Sequence, residues 1–213
     1  MDPSELPIPS TTAARAAVQI AQRHCSPALF DHGVRAYLWA VIYAHDREIS
    51  FDSELLYLAA LLHDIALTPT FDSLTVPFEV AGGEVAVVLA AGAGWPPDRQ
   101  GRVREVVIRH MWDQVPLEDD PEGHLLEVTT GIDISGRNVN EIPLEWRNAV
   151  LEKYPRLTLG EEFTQCIQAQ SLRKSFSAAA SFVAAGAPQR IARNPLDTRP
   201  NEPSYAPRVN RPD

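Results

Sequence analysis

Residues 61–66 read LLHDIA, so a histidine and an aspartate stand side by side behind a run of leucines and alanines. An ionised carboxylate in apolar surroundings is costly unless a strong partner compensates it, and a helix terminus, an arginine or a metal can serve. His32 lies in a helix-spaced apolar pattern formed by Leu29, Val34, Tyr37, Leu38, Val41 and Ile42. Asp133 sits inside the mostly apolar EVTTGIDISG, where an aspartate is a poor helix former and a costly buried group. Two imidazoles and two carboxylates on separate segments suit a divalent cation, with His32, His63, Asp64 and Asp133 as the candidate ligands. Nitrogen donors favour zinc or iron over magnesium, and carboxylates keep manganese open. Neighbouring residues in a regular helix diverge by about 100°. His63 and Asp64 can therefore converge on one ion only at a frayed helix end, or if one side chain reaches across.

The elements that must hold these residues read as helices. Ser26 and Pro27 form an N-cap and N1 pair for the segment carrying His32. Asp52 caps the segment that ends in His63 and Asp64, and Ser10 is expected to cap the first helix. Pro96 or Asp98 opens the segment ending in His110, with Val103, Val106 and Val107 on nearby faces. Pro121 opens the helix of Asp133, which Asn138 is expected to cap. Pro143 opens another helix, and Thr158 opens one long stretch ending near Gly186. Strand and hairpin signals are nearly absent. The expected fold is all-α: a single bundle of seven or eight helices over residues 10–186. A disordered N-terminus (1–9) precedes it, and an extended Pro-rich C-terminal tail (187–213) follows.

The bulk properties narrow the function. The 213 residues suffice for one sizeable core, and 45% hydrophobic content marks a globular chain. A formal net charge of −9 argues against a general nucleic-acid binder. Two cysteines, Cys25 and Cys166, read as structural thiols in a reducing compartment. No signal peptide or bilayer-spanning run is visible, so the expectation is a cytoplasmic protein with no membrane partner. The expected partner is a small-molecule substrate, with homo-oligomerisation left open.

The frame His32, His63–Asp64, Asp133 resembles the HD-domain superfamily of metal-dependent hydrolases. Further segments resemble its cyanamide hydratase-like branch: HGVRAY from His32, LLHDIALT from Leu61, FEVAGG from Phe78, IRH ending at His110, and IDISGRN around Asp133. Ala66 and Leu67 depart from the glycine and threonine usual in that branch. The resemblance implies a metal held by His32, His63, Asp64 and Asp133. It also implies a single ion, because Phe78 stands where two-metal members carry a ligating histidine. His110 is then left for proton transfer.

The reaction implied is addition of metal-activated water to a small nitrile such as cyanamide, giving urea, with Asp64 accepting the water proton and His110 supplying one to nitrogen. Arg35, one turn after His32, is expected to orient substrate or to pin a carboxylate ligand, with a structural salt bridge as the plain alternative. Phe78 and Glu79 are expected to line or support the pocket. Two alternatives remain: an HD-type phosphohydrolase acting on a nucleotide or other phosphate ester, and a non-catalytic metal-stabilised binding module. The first needs several cationic donors near the motifs. The candidates are Arg35, Arg102 or Arg104, Arg109 and Arg137, and no lysine precedes Lys153.

Overall fold

In a computed structural model describing residues 7–197, the chain forms ten α-helices and, among the described residues, no strand. They are α1 (Thr12–His24), α2 (Pro27–Asp46), α3 (Ser53–Leu62), α4 (Phe78–Gly92), α5 (Pro97–Arg109), α6 (Pro121–Ser135), α7 (Leu144–Lys153), α8 (Leu159–Arg173), α9 (Ala178–Ala184) and α10 (Ala187–Ile191). The all-α expectation holds. No helix among the described residues is long and apolar enough to cross a membrane.

Helix α2 is the axis. Ser26 Oγ accepts from the Leu29 N–H at 3.1 Å, and Pro27 pre-sets the first helical φ. From Gly33 to Ala44 every residue of α2 is buried, because α1, α3, α6, α7 and α8 surround it. Asp52 caps α3 by accepting from Leu55 N–H at 3.0 Å, and α3 is buried from Leu55 to its end. The close fit of α2 on α3 needs a glycine. A Cβ at Gly33 would stand 2.7 Å from the Ala60 carbonyl oxygen. Gly82 plays the same part for α4, where a Cβ would lie 3.2 Å from the carbonyls of Leu62 and His63.

Two apolar clusters result. The larger fills the space between α1 to α7, with Trp39, Leu58, Leu62, Val106 and Leu125 at its centre. The smaller joins Leu29, Phe78 and Ile134 to Phe163, Ile167 and Ile191 of α8 and α10. The site lies where they meet.

The helix ends correct several expectations. Thr11, not Ser10, caps α1, its Oγ1 accepting from Ala14 N–H at 3.1 Å. The long stretch from Thr158 is interrupted after Arg173, because Ser177 caps a new helix by accepting from Ala180 N–H. Helix α6 is closed by Gly136 in the left-handed region, φ 70°, where a glycine has no Cβ penalty. Asn138 begins a separate 3₁₀ turn instead. Residues 187–197, expected to be extended, are not. Residues 187–191 are helical, a 3₁₀ turn spans Pro195–Asp197, and Ala187, Ile191 and Asn194 are buried. Residues 1–6 and 198–213 of the expected terminal segments lie outside the described residues.

Candidate metal centre

Helix α3 ends at Leu62, with His63 as its C-cap and Asp64 at φ −104°, ψ 6°, opening a 3₁₀ turn over Ile65–Leu67. This break in the helix is what lets adjacent side chains converge. His63 Nε2 lies 3.1 Å from Asp64 Oδ2, and His32 Nε2 lies 3.1 Å from His63 Nε2 and 3.5 Å from Asp64 Oδ2. All three residues are buried.

The far nitrogen of each ring is already committed. His63 Nδ1 donates to the Ala60 carbonyl at 2.8 Å, and His32 Nδ1 donates to Asp133 Oδ2 at 2.7 Å. Neither acceptor carries a proton, so the hydrogen sits on Nδ1 in both rings. Both Nε2 lone pairs then face each other across 3.1 Å beside a carboxylate. Asp64 Oδ1 and Oδ2 are buried without a hydrogen-bond donor. Three electron-rich groups converge there, and two imidazoles with a carboxylate are a donor set that would suit a divalent transition metal. The protein's own charges point the same way. Burial alone would depress the His32 pKa, but Asp133 and Asp64 outweigh it and raise it. Burial opposes ionisation of Asp64 as well, but His63 and His32 hold its carboxyl well below the usual range.

Asp133, expected among the ligands, is not part of this cluster. It stands behind His32, and its oxygens are saturated. Arg35 grips it with two bonds, Nε to Oδ1 at 2.9 Å and a terminal nitrogen to Oδ2 at 2.8 Å, while Trp39 Nε1 donates to Oδ1 at 3.0 Å. Burial works against the charge, but Arg35 holds the Asp133 carboxyl far below its ordinary value. Its place is to fix the ring and tautomer of His32, as carboxylates behind metal-binding histidines do. Arg35 is fully buried and reaches the carbonyls of Tyr154 and Pro155 at 3.3 and 2.9 Å. It therefore makes the structural salt bridge that was the plain alternative, to Asp133, and does not face the cavity.

His110 follows α5 and is buried beside the cluster. Its Nε2 is 3.7 Å from Asp64 Oδ1, its ring centroid 4.8 Å from that of His63, and its Nδ1 donates to the Val107 carbonyl. Burial and the neighbouring His63 push its pKa down to about 3, so the ring is neutral with a bare Nε2. Phe78 packs edge-on to it at 5.7 Å. Glu79 is buried, its pKa raised by that burial, with Oε2 unpartnered. Neither Phe78 nor Glu79 is in the cavity wall; they lie behind it.

The sequence reading missed three supports. Trp39 donates to Asp133, Arg156 donates to the Asp133 carbonyl, and Asn194 donates to the carbonyls of Asp133 and Ile134 at 2.8 and 2.9 Å. Only Trp39, seven residues after His32, carried a periodic signal. His24, His45 and His124 stay outside the cluster.

A cavity of about 910 Å³ opens onto His32, His63, Asp64 and His110. Of the arginines considered as phosphate donors, Arg102 and Arg109 pair with Asp120, Arg104 with Glu84, Arg137 with Glu127 and Arg35 with Asp133.

Residues 29–119 match the HD domain family. Cyanamide hydratase DDI2 and cyanamide hydratase DDI3 of Saccharomyces cerevisiae are each 27% identical to this chain over 181 residues, covering 83% of this chain and 80% of the relative.

Proposed function

We propose that the chain, whose residues 29–119 match the HD domain family and which is similar to the cyanamide hydratases, is a metal-dependent hydratase. The reaction is addition of water to a small nitrile, with cyanamide giving urea. The observation that carries this reading is the trio of His32 Nε2, His63 Nε2 and the unpartnered Asp64 carboxylate around one point. A single divalent transition metal, zinc first and iron or manganese by the same donor chemistry, would be held there by His32, His63 and Asp64. When bound it supplies a Lewis acid that lowers the pKa of water toward neutrality.

The chain's own groups handle the protons. Asp133 keeps the Nδ1 proton on His32, so that Nε2 stays a donor to the ion. Asp64 Oδ1, on the His110 side, orients the attacking water. His110, neutral with its Nδ1 proton committed to Val107, starts as an acceptor. Its Nε2 takes the water proton as the C–O bond forms and then delivers it to the nitrile nitrogen. In this reading His110 receives before it gives, whereas the sequence suggests Asp64 as the acceptor of the water proton. Tautomerisation of the imidate gives the amide.

The phosphohydrolase reading is disfavoured because the arginines beside the motifs are paired with carboxylates, and of the two in the cavity wall only Arg190 has no such partner among the described residues; a phosphate site calls for several cationic donors. The deciding experiment incubates the zinc-, iron- and manganese-loaded protein with cyanamide and with a nucleotide panel, assaying urea and phosphate. Urea without phosphate is expected; phosphate release without urea would overturn the proposal.

A further inference from the structure

Cyanamide has three heavy atoms and occupies on the order of two waters' space, about 60 Å³. The cavity is about 910 Å³, in the range of pockets that enclose whole drug-sized ligands, roughly 300–1,000 Å³. A site built for cyanamide alone has no use for that space, and its walls are not uniform. The end at His63 and Asp64 is polar. Ile134, Phe163, Phe182 and Ala185 contribute apolar surface to the same cavity. Phe163 packs edge-on to His32 at 6.4 Å, so this apolar wall begins beside the reacting centre.

The charges on the wall differ too. Arg137 pairs with the buried Glu127. Arg190 has no carboxylate partner among the described residues. It donates to the Ala185 carbonyl at 2.5 Å, and its guanidinium carbon lies 5.8 Å from the Phe182 ring centroid. Asp113 belongs to the segment after His110, whereas Arg190 rides α10, which packs on α6, α8 and α9. A negative group on the ligand is thus directed to the α9–α10 wall.

We infer that the substrate is a substituted cyanamide or nitrile with an apolar body along Phe163 and Phe182 and a terminal carboxylate held by Arg190. This rests on the hydratase reading for its reacting group, and on the cavity alone for the rest. In the reaction, water oxygen bonds to the nitrile carbon as one C–N π bond breaks. One water proton reaches the nitrogen through His110, the other shifts from oxygen to nitrogen, and a substituted urea or amide results.

The test compares N-cyano-N-methylaniline with its 4-carboxylate, using the metal-loaded full chain. Calorimetry measures binding of both, and turnover is followed alongside that of cyanamide. The carboxylate should bind about ten- to a hundredfold tighter than the uncharged parent, the size of a charged hydrogen bond. R190Q should erase the preference, and R190E should reverse it. Arg190 is exposed at a helix end, and circular dichroism verifies that both variants fold. Equal binding of the two probes, or a preference that survives R190Q, overturns the inference. A carboxylate preference with hydration of no probe, cyanamide included, keeps the Arg190 carboxylate site and removes the hydratase reading, and with it the nitrile as the reacting group. Cyanamide hydration with no carboxylate preference does the reverse.

Discussion

Asp120 and Asp64 are both buried carboxylates beside helix ends, 0% and 4% exposed, and their surroundings are opposite. Asp120 caps α6 by accepting from Gly123 N–H at 2.8 Å, and it receives Arg102 and Arg109 at 2.6 Å each. Asp64 receives no donor and looks across at the Nε2 atoms of two histidines. A buried carboxylate closed by donors is part of the scaffold. One left open among other electron-pair donors is shaped for something that arrives from outside. Asp133 belongs with Asp120 by this criterion, although it lies behind a candidate ligand.

The largest effect should come from the open cluster. His63→Ala and Asp64→Ala are each expected to drop bound metal, measured by plasma emission spectrometry, to background, and urea formation with it. Wild-type protein should carry about one transition metal per chain, and chelation should lower its melting temperature because a ligand bound only by the folded state is withdrawn. Asp64→Ala protein should melt identically with and without chelator, while Asp120→Asn should keep the wild-type chelator shift. A chelator shift that survives in Asp64→Ala would mean that the ion sits elsewhere and that the two carboxylates do not differ as described.

The difference between these carboxylates was only partly readable beforehand. The apolar lead into His63 and Asp64, the Ser26–Pro27 start of α2 and the Asp52 and Pro121 starts sufficed for the helices and for three converging residues, because periodicity and caps are local properties. The direction of the Asp133 oxygens is not local. It depends on Arg35 and Trp39 lying on the same face of α2 and on Arg156 and Asn194 closing the carbonyl end of α6. Residue type reports that Asp133 must be paired, not which of its neighbours pairs with it. Asn194 was invisible for a related reason: RIARNPLD has too little apolar content to predict a core of its own, yet Ile191 needs only the existing cluster to be buried.

A smaller effect should follow at His110. His110→Ala is expected to reduce turnover about 10²–10⁴-fold, the usual loss for a proton-transfer group, while metal content stays at the wild-type level. Metal loss in step with activity would make it a ligand. Turnover retained with intact metal would remove its role in proton transfer.

The smallest effect concerns Asp120 and appears in stability alone. Asp120→Asn removes the buried carboxylate that Arg102 and Arg109 share and leaves them only the more exposed Glu105 and Glu122. Because both arginines are partly exposed, the cost should be about 2–3 kcal/mol rather than the ~3–5 of a fully buried pair. For a domain of this size that is roughly a 5–10 °C fall in melting temperature, with activity per folded molecule retained. The pH dependence gives the sign of the charge contribution. Burial disfavours the charged form of Asp120, but Arg102, the Gly123 amide and Arg109 lower its folded pKa below the ordinary 3.8. The unfolded chain therefore binds more protons in that window, so stability rises with pH there. The contribution is fully present above the unfolded value near 4 and is lost as pH falls through the lower folded value. The gap in melting temperature between wild type and Asp120→Asn should thus be constant from pH 7 to 5 and narrow below about pH 4. Asparagine keeps the neutral cap on Gly123, so a gap that stays constant down to pH 3 would come from the altered packing of the amide, and would leave Asp120 without the charge pairing that sets it apart from Asp64.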